Sequence, residues 1–400
     1  MESSAAREGM THLFSGLIAS GLAVALLFAG GIVAIHLEHT TLPSTAPRLF
    51  PLKNQGLAFQ RVAAYAPDVL PLYGSSELFI PPVSARASIF FRTAPTGFQV
   101  SPVGYGGTPL LIILQKIGAL GSDLRGKKVA ISLSPGWFLT PHPGWDSYEG
   151  NFSVMAASEM AFGTALDFEL KRDIASRMLK CPSTLENRPL LEFALRRLAS
   201  GRWLDRVVFC ALWPIGKAQT VLLELQDHFA ALNYIRHAGS SPDPRRHSEI
   251  LDWPKLITKI SGPNTTDADE IKKPLTSDEQ IAPGGLDRKF RIHMNKAPGW
   301  MDLELLLRTL RRVHAQPLLI GMPIAGQFYD QSGISRAARE GYYEKLRALA
   351  QRYNFTLIEF KEHDEDPAFL YRHQTHLTAK GWMFYDRALD DFFHGRVPRT

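Results

Sequence analysis

Two residues capable of nucleophilic catalysis stand near opposite ends of this 400-residue chain. The first is Ser76, in the tetrapeptide GSSE at 74–77, which directly follows a short apolar run at Val69–Tyr73. The second is His376, in the run HQTHLTAKGW at 373–382, just before a helical pattern. A serine hydroxyl whose proton an imidazole can take is a nucleophile for acyl transfer or ester hydrolysis. Together the two residues therefore indicate a Ser-His site.

Short apolar runs and helical patterns alternate along most of the chain and would position these residues. The runs are nearly continuous in apolar residues, as in strands buried on both faces, and they lie at Val69–Tyr73, 98–101, Lys128–Leu133, 317–322 and 354–360. Helical patterns lie at 108–120, 300–315, 335–353 and 377–393. This alternation predicts an α/β fold, with a parallel sheet flanked by helices.

The carboxyl ends of parallel strands meet at one edge of a sheet, and ligands bind there. Ser76 follows the first predicted strand, GYGG at 104–107 follows the second, SPGWF at 134–138 follows the third, and His376 follows the last. Backbone N–H groups in such turns can bind an oxyanion. Each motif alone is ordinary turn or helix-cap chemistry, so the interpretation depends on all four meeting at this edge.

An uncharged apolar segment at 13–35 precedes the predicted domain. At about 1.5 Å per residue it spans a bilayer core of roughly 30 Å, and it is longer than the apolar part of a cleaved signal peptide. We therefore expect an uncleaved transmembrane anchor. Arg7 before the segment and Arg48 and Lys53 after it leave the orientation undecided. The sequence has no second apolar run of this length, so everything after residue 40 is expected on one side.

Three segments complete the predicted organisation. Residues 1–36 form the tail and anchor, 37–60 a proline-containing linker, and 61–400 one domain with an insertion at about 145–300. Helical patterns at 155–179, 190–198 and 218–231 make the insertion largely helical, whereas 238–298 is polar and weakly periodic.

The composition excludes several classes of protein. Hydrophobic residues at 45% and charged residues at 21% do not suit a disordered chain, and a net charge of +6 without a basic stripe indicates no nucleic-acid partner. Cys181 and Cys210 are the only cysteines, which excludes a four-cysteine zinc site; whether they pair stays open. A metal site at His373 and His376 is the less favoured alternative, because their spacing fixes no third ligand.

These motifs resemble the DltD-like D-alanyl transfer proteins, which are membrane-anchored relatives of the SGNH (GDSL-type) hydrolases. The anchor, GSSEL at 74–78, GYGGT at 104–108, SPGWF at 134–138, MPIAGQFYD at 322–330, HDEDP at 363–367 and HLTAKGW at 376–382 carry the resemblance. It runs from end to end of the chain and implies an SGNH-hydrolase-like sheet.

The resemblance also implies roles for individual residues. Ser76 would be the nucleophile, with Ser75 at the aspartate position of the GDS box, and His376 would be the base. The N–H groups of Ser76 and Gly106 would bind the oxyanion. Ser134 and Trp137 would contact substrate, and no cofactor or metal is implied.

The chain departs from the family pattern at three positions. His373 stands where the family has an aspartate three residues before the histidine, Gly136 stands for a glutamine after Ser-Pro, and Pro109 stands for a glutamine after Gly-Gly-Thr. A histidine cannot stabilise an imidazolium as an aspartate does. The site is therefore either a Ser-His dyad or a triad that uses Asp364 or Asp366.

Two classes of function follow. The first is an acyltransferase or esterase that helps D-alanylate an envelope polymer, together with acyltransferase and acyl-carrier machinery. The second is a non-catalytic protein that docks such partners at the membrane. The resemblance implies a single-pass protein of the bacterial inner membrane, with residues 1–12 in the cytoplasm and 36–400 in the periplasm or outside.

Overall fold

The computed structural model describes residues 2–79, 84–142, 144–238, 248–260, 282–371 and 376–398. Five parallel strands form the central sheet: β1 (Val69–Tyr73), β2 (Gln99–Val103), β3 (Lys128–Leu133), β4 (Gln316–Gly321) and β5 (Thr356–Glu359). Their order is β2-β1-β3-β4-β5. From β1 the chain passes to β2 on one side, and the later strands β3, β4 and β5 follow on the other side. The direction of the strand order therefore reverses between β1 and β3, and open α/β sheets bind ligands at such a point.

Helices cover both faces of the sheet. One face packs against Leu110–Leu120, Val154–Phe162, Phe168–Met178, Pro189–Ser200, Gly299–Arg312 and Arg336–Tyr353. The other face packs against Ala87–Thr93, Trp253–Ile260 and Ala379–Phe393. The remaining helices are Glu2–Thr45, Pro51–Gln55, Ala58–Tyr65, Gly136–Leu139, Trp145–Asn151, Trp203–Ala238, Asp287–Lys296 and Gly326–Gln331.

The predicted α/β fold with a parallel sheet is confirmed. Strands β1 and β3 have the predicted bounds, and the other strands differ at their ends by one or two residues. All five strands come from nearly continuous apolar runs, because helices cover both faces of the sheet. A small antiparallel pair, β6 (Leu370–Tyr371) and β7 (His376–Leu377), was not expected. His376 therefore lies on a short strand, and the last helix begins after its Thr378 cap.

The predicted linker at 37–60 is helical in the structure. The first helix, Glu2–Thr45, continues past the apolar segment, and Pro51–Gln55 and Ala58–Tyr65 follow it. Leu42, Ala46 and Phe50 are buried among these helices. Of the prolines that suggested a linker, Pro51 occupies the first turn of its helix, where no intrahelical N–H is needed. Pro43 lies inside the first helix, close to its end at Thr45.

The insertion is largely helical, and one of its helices is longer than its pattern indicated. Trp203–Ala238 is continuous through Pro214, whereas the sequence predicted a helix only at 218–231. Of the described helices, Phe14–Thr45 and Trp203–Ala238 are long and apolar enough to cross a membrane, judged by length and composition alone. The sequence predicts one such helix, whereas two of the described helices meet this criterion.

Candidate active site

The structure brings Ser76 and His376 together at the carboxyl edge of the sheet. The hydroxyl oxygen of Ser76 lies 3.0 Å from Nε2 of His376. Ser76 opens a short 3-10 turn, Ser76–Leu78, directly after β1, and His376 begins β7. Both side chains are half-buried, so a reactant can reach them. This is the contact that a general base makes with a nucleophilic hydroxyl.

A buried carboxylate holds the turn that presents Ser76. The N–H of Ser75 donates to Oε1 of Glu77 at 2.8 Å, and only 3% of Glu77 is exposed. Burial raises the pKa of the Glu77 carboxyl above its usual 4.5, while the N–H groups of Ser75 and of Glu77 itself oppose that rise. Gly74 leaves room for this contact, because a Cβ at this position would displace the Glu77 carboxylate.

The loop after β2 lies against the same turn. Gly104 has a φ of 150°, and a Cβ on it would collide with the carbonyl oxygen of Gly74. Both the left-handed conformation and the close approach therefore require glycine. The ring of Tyr105 stacks on that of Phe79, with centroids 5.4 Å apart. This stacking joins the loop after β2 to the turn that carries Ser76.

Asn151 from the insertion fixes the shape of the loop. The hydroxyl of Thr108 accepts from the N–H of Tyr105 at 2.8 Å and donates to Oδ1 of Asn151 at 2.9 Å. Nδ2 of Asn151 donates to the carbonyl oxygens of Gly106, at 3.4 Å, and Ser147, at 2.9 Å. The Gly106 carbonyl is thus turned towards the insertion. Within the described residues, neither the N–H of Ser76 nor that of Gly106 has an acceptor, as oxyanion donors require.

Comparisons with known proteins identify the family of this chain. The family model described as "DltD protein" matches residues 46–394. The chain belongs to the DltD family. Protein DltD of Bacillus subtilis is 27% identical over 391 residues, which cover 92% of this chain and 95% of that protein. Protein DltD of Staphylococcus aureus is 22% identical, and the match covers 81% of each chain. Protein DltD of Lacticaseibacillus rhamnosus is also 22% identical, and the match covers 82% of this chain and 78% of that protein. The resemblance to a divergent DltD protein is therefore confirmed.

The two candidate replacements for the DltD-family aspartate are engaged elsewhere. Oδ1 of Asp364 accepts from the N–H of Ile324 at 3.1 Å and from the hydroxyl of Tyr343, and burial raises its pKa to about 7. Oδ2 of Asp366 accepts from Nζ of Lys380 at 2.7 Å. Burial alone would raise the pKa of Asp366, but the Lys380 hydrogen bond and ion pair hold it below 3.8.

His376 itself has no acid partner in the described part of the chain. Burial lowers the pKa of its imidazole below the usual 6.5, and no carboxylate opposes that shift. His373, at the family's aspartate position, lies outside the described residues. Its role as a third catalytic residue stays a prediction.

Ser134 and Trp137 follow β3 at the same edge of the sheet. Both are half-buried, and the N–H of Trp137 donates to the Ser134 carbonyl at 3.2 Å. In the described residues neither side chain is hydrogen-bonded to Ser76 or His376. The ring of Trp137 packs edge-on against Phe138, which in turn contacts Trp300. Their substrate contacts stay predictions, and the indoles are used at least partly for packing.

Two other expectations concern metals and thiols. Within the described residues, no group of three histidine, cysteine, aspartate or glutamate side chains could hold a metal ion. The thiols of Cys181 and Cys210 are free, the first buried and the second exposed.

Sequence reasoning missed the roles of Glu77 and Asn151. Glu77 stands inside the GSSEL motif, and a carboxylate directly after a candidate nucleophile in an otherwise apolar run was an available signal. Asn151 carried no such signal, because its contacts depend on how the insertion folds against a loop 45 residues earlier.

Proposed function

We propose that this chain is a membrane-anchored serine acyl-transfer enzyme that acts in the D-alanylation of an envelope polymer. The observation that carries the proposal is the 3.0 Å contact between the Ser76 hydroxyl and Nε2 of His376. Membership of the DltD family supports the D-alanyl group as the acyl unit. An SGNH-type acyltransferase or esterase is the reaction class that suits this site.

The first half-reaction makes an acyl-enzyme. His376 takes the proton of Ser76 as the hydroxyl oxygen attacks the carbonyl carbon of an activated D-alanyl group. The N–H groups of Ser76 and Gly106 stabilise the negative oxygen of the tetrahedral intermediate. The intermediate then expels the group that carried D-alanine, which receives the proton from His376. Ser76 is left as a D-alanyl ester.

The second half-reaction transfers the acyl group. A hydroxyl of the envelope polymer gives its proton to His376 and attacks the ester carbonyl of the acylated Ser76. The hydroxyl of Ser76 leaves with the proton, and the polymer carries the D-alanyl ester. Water in place of the polymer would give hydrolysis, so the same site can act as an esterase.

The apolar part of the first helix supports anchoring in the bacterial inner membrane. Phe14–Thr45 is long and apolar enough to cross a bilayer, and the larger residues from Phe14 to Ile35 are mostly exposed. In this proposal residues 1–12 are cytoplasmic, and the catalytic domain faces the periplasm or the outside. There it meets the acyltransferase and acyl-carrier machinery and the polymer.

The test measures D-alanyl esters on the envelope polymer of cells that lack their own DltD protein. Expression of this chain should restore the ester content, Ser76→Ala and His376→Ala should not, and Ser75→Ala should restore most of it. Immunoblots of the membrane fraction control for equal amounts of each variant. Full restoration by Ser76→Ala would contradict the enzyme and favour the docking protein.

A further inference from the structure

We propose that the helix Trp203–Ala238 lies in the membrane–water interface, so that the folded domain rests on lipid beside its anchor. The proposal goes beyond the proposed function but rests on it for the anchor. The occupant of this surface is the bilayer itself, at the level where acyl chains meet headgroups.

One face of this helix is an exposed apolar stripe, which we define as Leu204, Val207, Ala211, Ile215, Leu222 and Phe229. At 3.6 residues per turn these six positions fall within an arc of roughly 80°. The five larger side chains are between 46% and 61% exposed. A continuous exposed apolar surface of this length is unusual on a soluble protein and marks a contact with a partner or a membrane.

The opposite face of the helix is fixed to the domain. Nε1 of Trp213 donates to the carbonyl oxygen of Phe162 at 2.7 Å, and a Cβ on Gly216 would collide with the Phe162 ring. Further along, Oδ2 of Asp227 accepts from the N–H groups of Leu57, at 2.6 Å, and Ala58, at 2.8 Å. A helix with one face held this way cannot be surrounded by lipid. It can lie on a bilayer but not span one.

Contacts with the first helix place one end of the stripe at the depth of the bilayer. A Cβ on Gly30 would lie 3.6 Å from the ring of Phe229, and one on Gly31 would lie 3.8 Å from Leu225. The uncharged run ends at residue 35, so Gly30 lies roughly 7 Å below that end at about 1.5 Å per residue. Interfacial helices bury their apolar faces by about 5–10 Å.

The polar groups next to this contact mark the membrane boundary. Oε1 of Glu38 lies 2.8 Å from Nδ1 of His228, and both side chains are buried between the two helices. Arg236 and His237 are exposed about two turns further on. On the first helix, charge begins at Glu38, just after the apolar run ends. The charged residues of Trp203–Ala238 that precede Phe229 all lie outside the arc of the stripe: Asp205, Arg206, Lys217, Glu224 and Asp227. This continuity with the anchor selects lipid as the occupant.

The experiment measures how deeply single positions of the full chain enter lipid. Cys210→Ser removes the exposed thiol, while Cys181 is buried. Ile215→Cys and Leu222→Cys, each in that background, are labelled with an environment-sensitive fluorophore and reconstituted into phosphatidylcholine–phosphatidylglycerol vesicles. Lipids brominated on their acyl chains should quench both labels several-fold more than a label at Thr258→Cys. Thr258 is exposed on Trp253–Ile260, which covers the other face of the sheet.

A label at Ala25→Cys, in the apolar run of the first helix, separates the two proposals. Quenching at Ala25→Cys without quenching at Ile215→Cys and Leu222→Cys would overturn the interfacial helix and leave the anchor intact. No quenching at Ala25→Cys would overturn the anchor and the interfacial helix with it. Disulfides between copies at Leu222→Cys, with quenching lost on dilution in lipid, would assign the stripe to a second copy of the chain and overturn the proposal. Circular dichroism confirms that each variant is folded.

Discussion

The hydroxyl of Ser76 lies 3.0 Å from Nε2 of His376, although 300 residues separate them in the sequence. Each residue comes from a short segment at the same edge of the sheet: Ser76 follows β1, and His376 begins β7. The fold of the sheet therefore brings a hydroxyl and a base from distant parts of the chain within hydrogen-bond distance. The catalytic roles that we propose depend on this contact.

The first prediction concerns pH. Only the neutral imidazole of His376 can accept the Ser76 proton, and burial lowers the pKa of this imidazole. The rate of ester hydrolysis should therefore fall on acidification only below pH 6.5, the ordinary value for histidine. The measurement is kcat/KM for a generic ester against pH. An acidic limb that is centred above 6.5 would mean that a carboxylate partner or another base controls the site.

The second prediction concerns Glu77. Glu77→Ala removes the acceptor of the Ser75 N–H and should lower kcat/KM by roughly tenfold or more, since an unpaired buried donor costs about 1–3 kcal/mol. Glu77→Gln keeps an oxygen that can accept the same bond and should retain most of the activity. Similar losses in both variants would show that the charge of Glu77, and not its hydrogen bond, matters.

The third prediction concerns the missing acid. His373→Asp should give a modest rise in kcat/KM, because an aspartate at this position would stabilise the imidazolium of His376. Asp364→Asn and Asp366→Asn should change kcat/KM little, since these carboxylates bind Tyr343 and Lys380 instead. A fall on His373→Asp, together with a large fall in one aspartate variant, would show that the acid has moved to that aspartate.

The fourth prediction concerns Asp386, which is fully buried. Its two carboxylate oxygens have no hydrogen-bond partner in the described residues, and burial raises its pKa well above 3.8. The unfolded chain loses this proton first, so the free energy of unfolding should fall as pH rises above 3.8, by up to about 1.4 kcal/mol per pH unit.

Asp386→Asn should remove that slope, and its advantage in thermal unfolding over the parent should grow with pH. Asp287→Asn is the control of opposite sign, because hydrogen bonds from Ser335 lower the pKa of Asp287. Asp287 stabilises the fold above pH 3.8 and loses that effect in acid. If the parent and Asp386→Asn depend on pH alike, Asp386 is not a neutral buried acid.

How far the sequence predicts this molecule differs between its elements. Strands β1 and β3 were predicted to the residue, because a run buried on both faces carries its own signal in composition. The helix Trp203–Ala238 was predicted only in part. Apolar residues lie on both its packed and its exposed faces, so its first half lacks the usual one-sided pattern, and that half contains Pro214.

The sequence likewise predicts some residues of the candidate site and misses others. The sequence predicts that Ser76 and His376 meet because segments that follow parallel strands reach the same edge of the sheet. His376 does so from β7, although the sequence placed it at the start of the last helix. Asn151 was not predicted, because its hydrogen bonds join an insertion to a loop and depend on tertiary packing alone. The first helix continues into the expected linker as far as Thr45 for a related reason, since packing of Leu42 and Ala46 against Ala58–Tyr65 stabilises this end.

The most direct measurement of the central claim is the position of a covalent adduct. The full chain in membranes is treated with a fluorophosphonate, digested and sequenced by mass spectrometry. The adduct is expected on Ser76, absent in Ser76→Ala, retained in Ser75→Ala, and formed roughly 10²–10⁴-fold more slowly in His376→Ala. Labelling of Ser76→Ala as rapid as that of the parent would contradict Ser76 as the nucleophile.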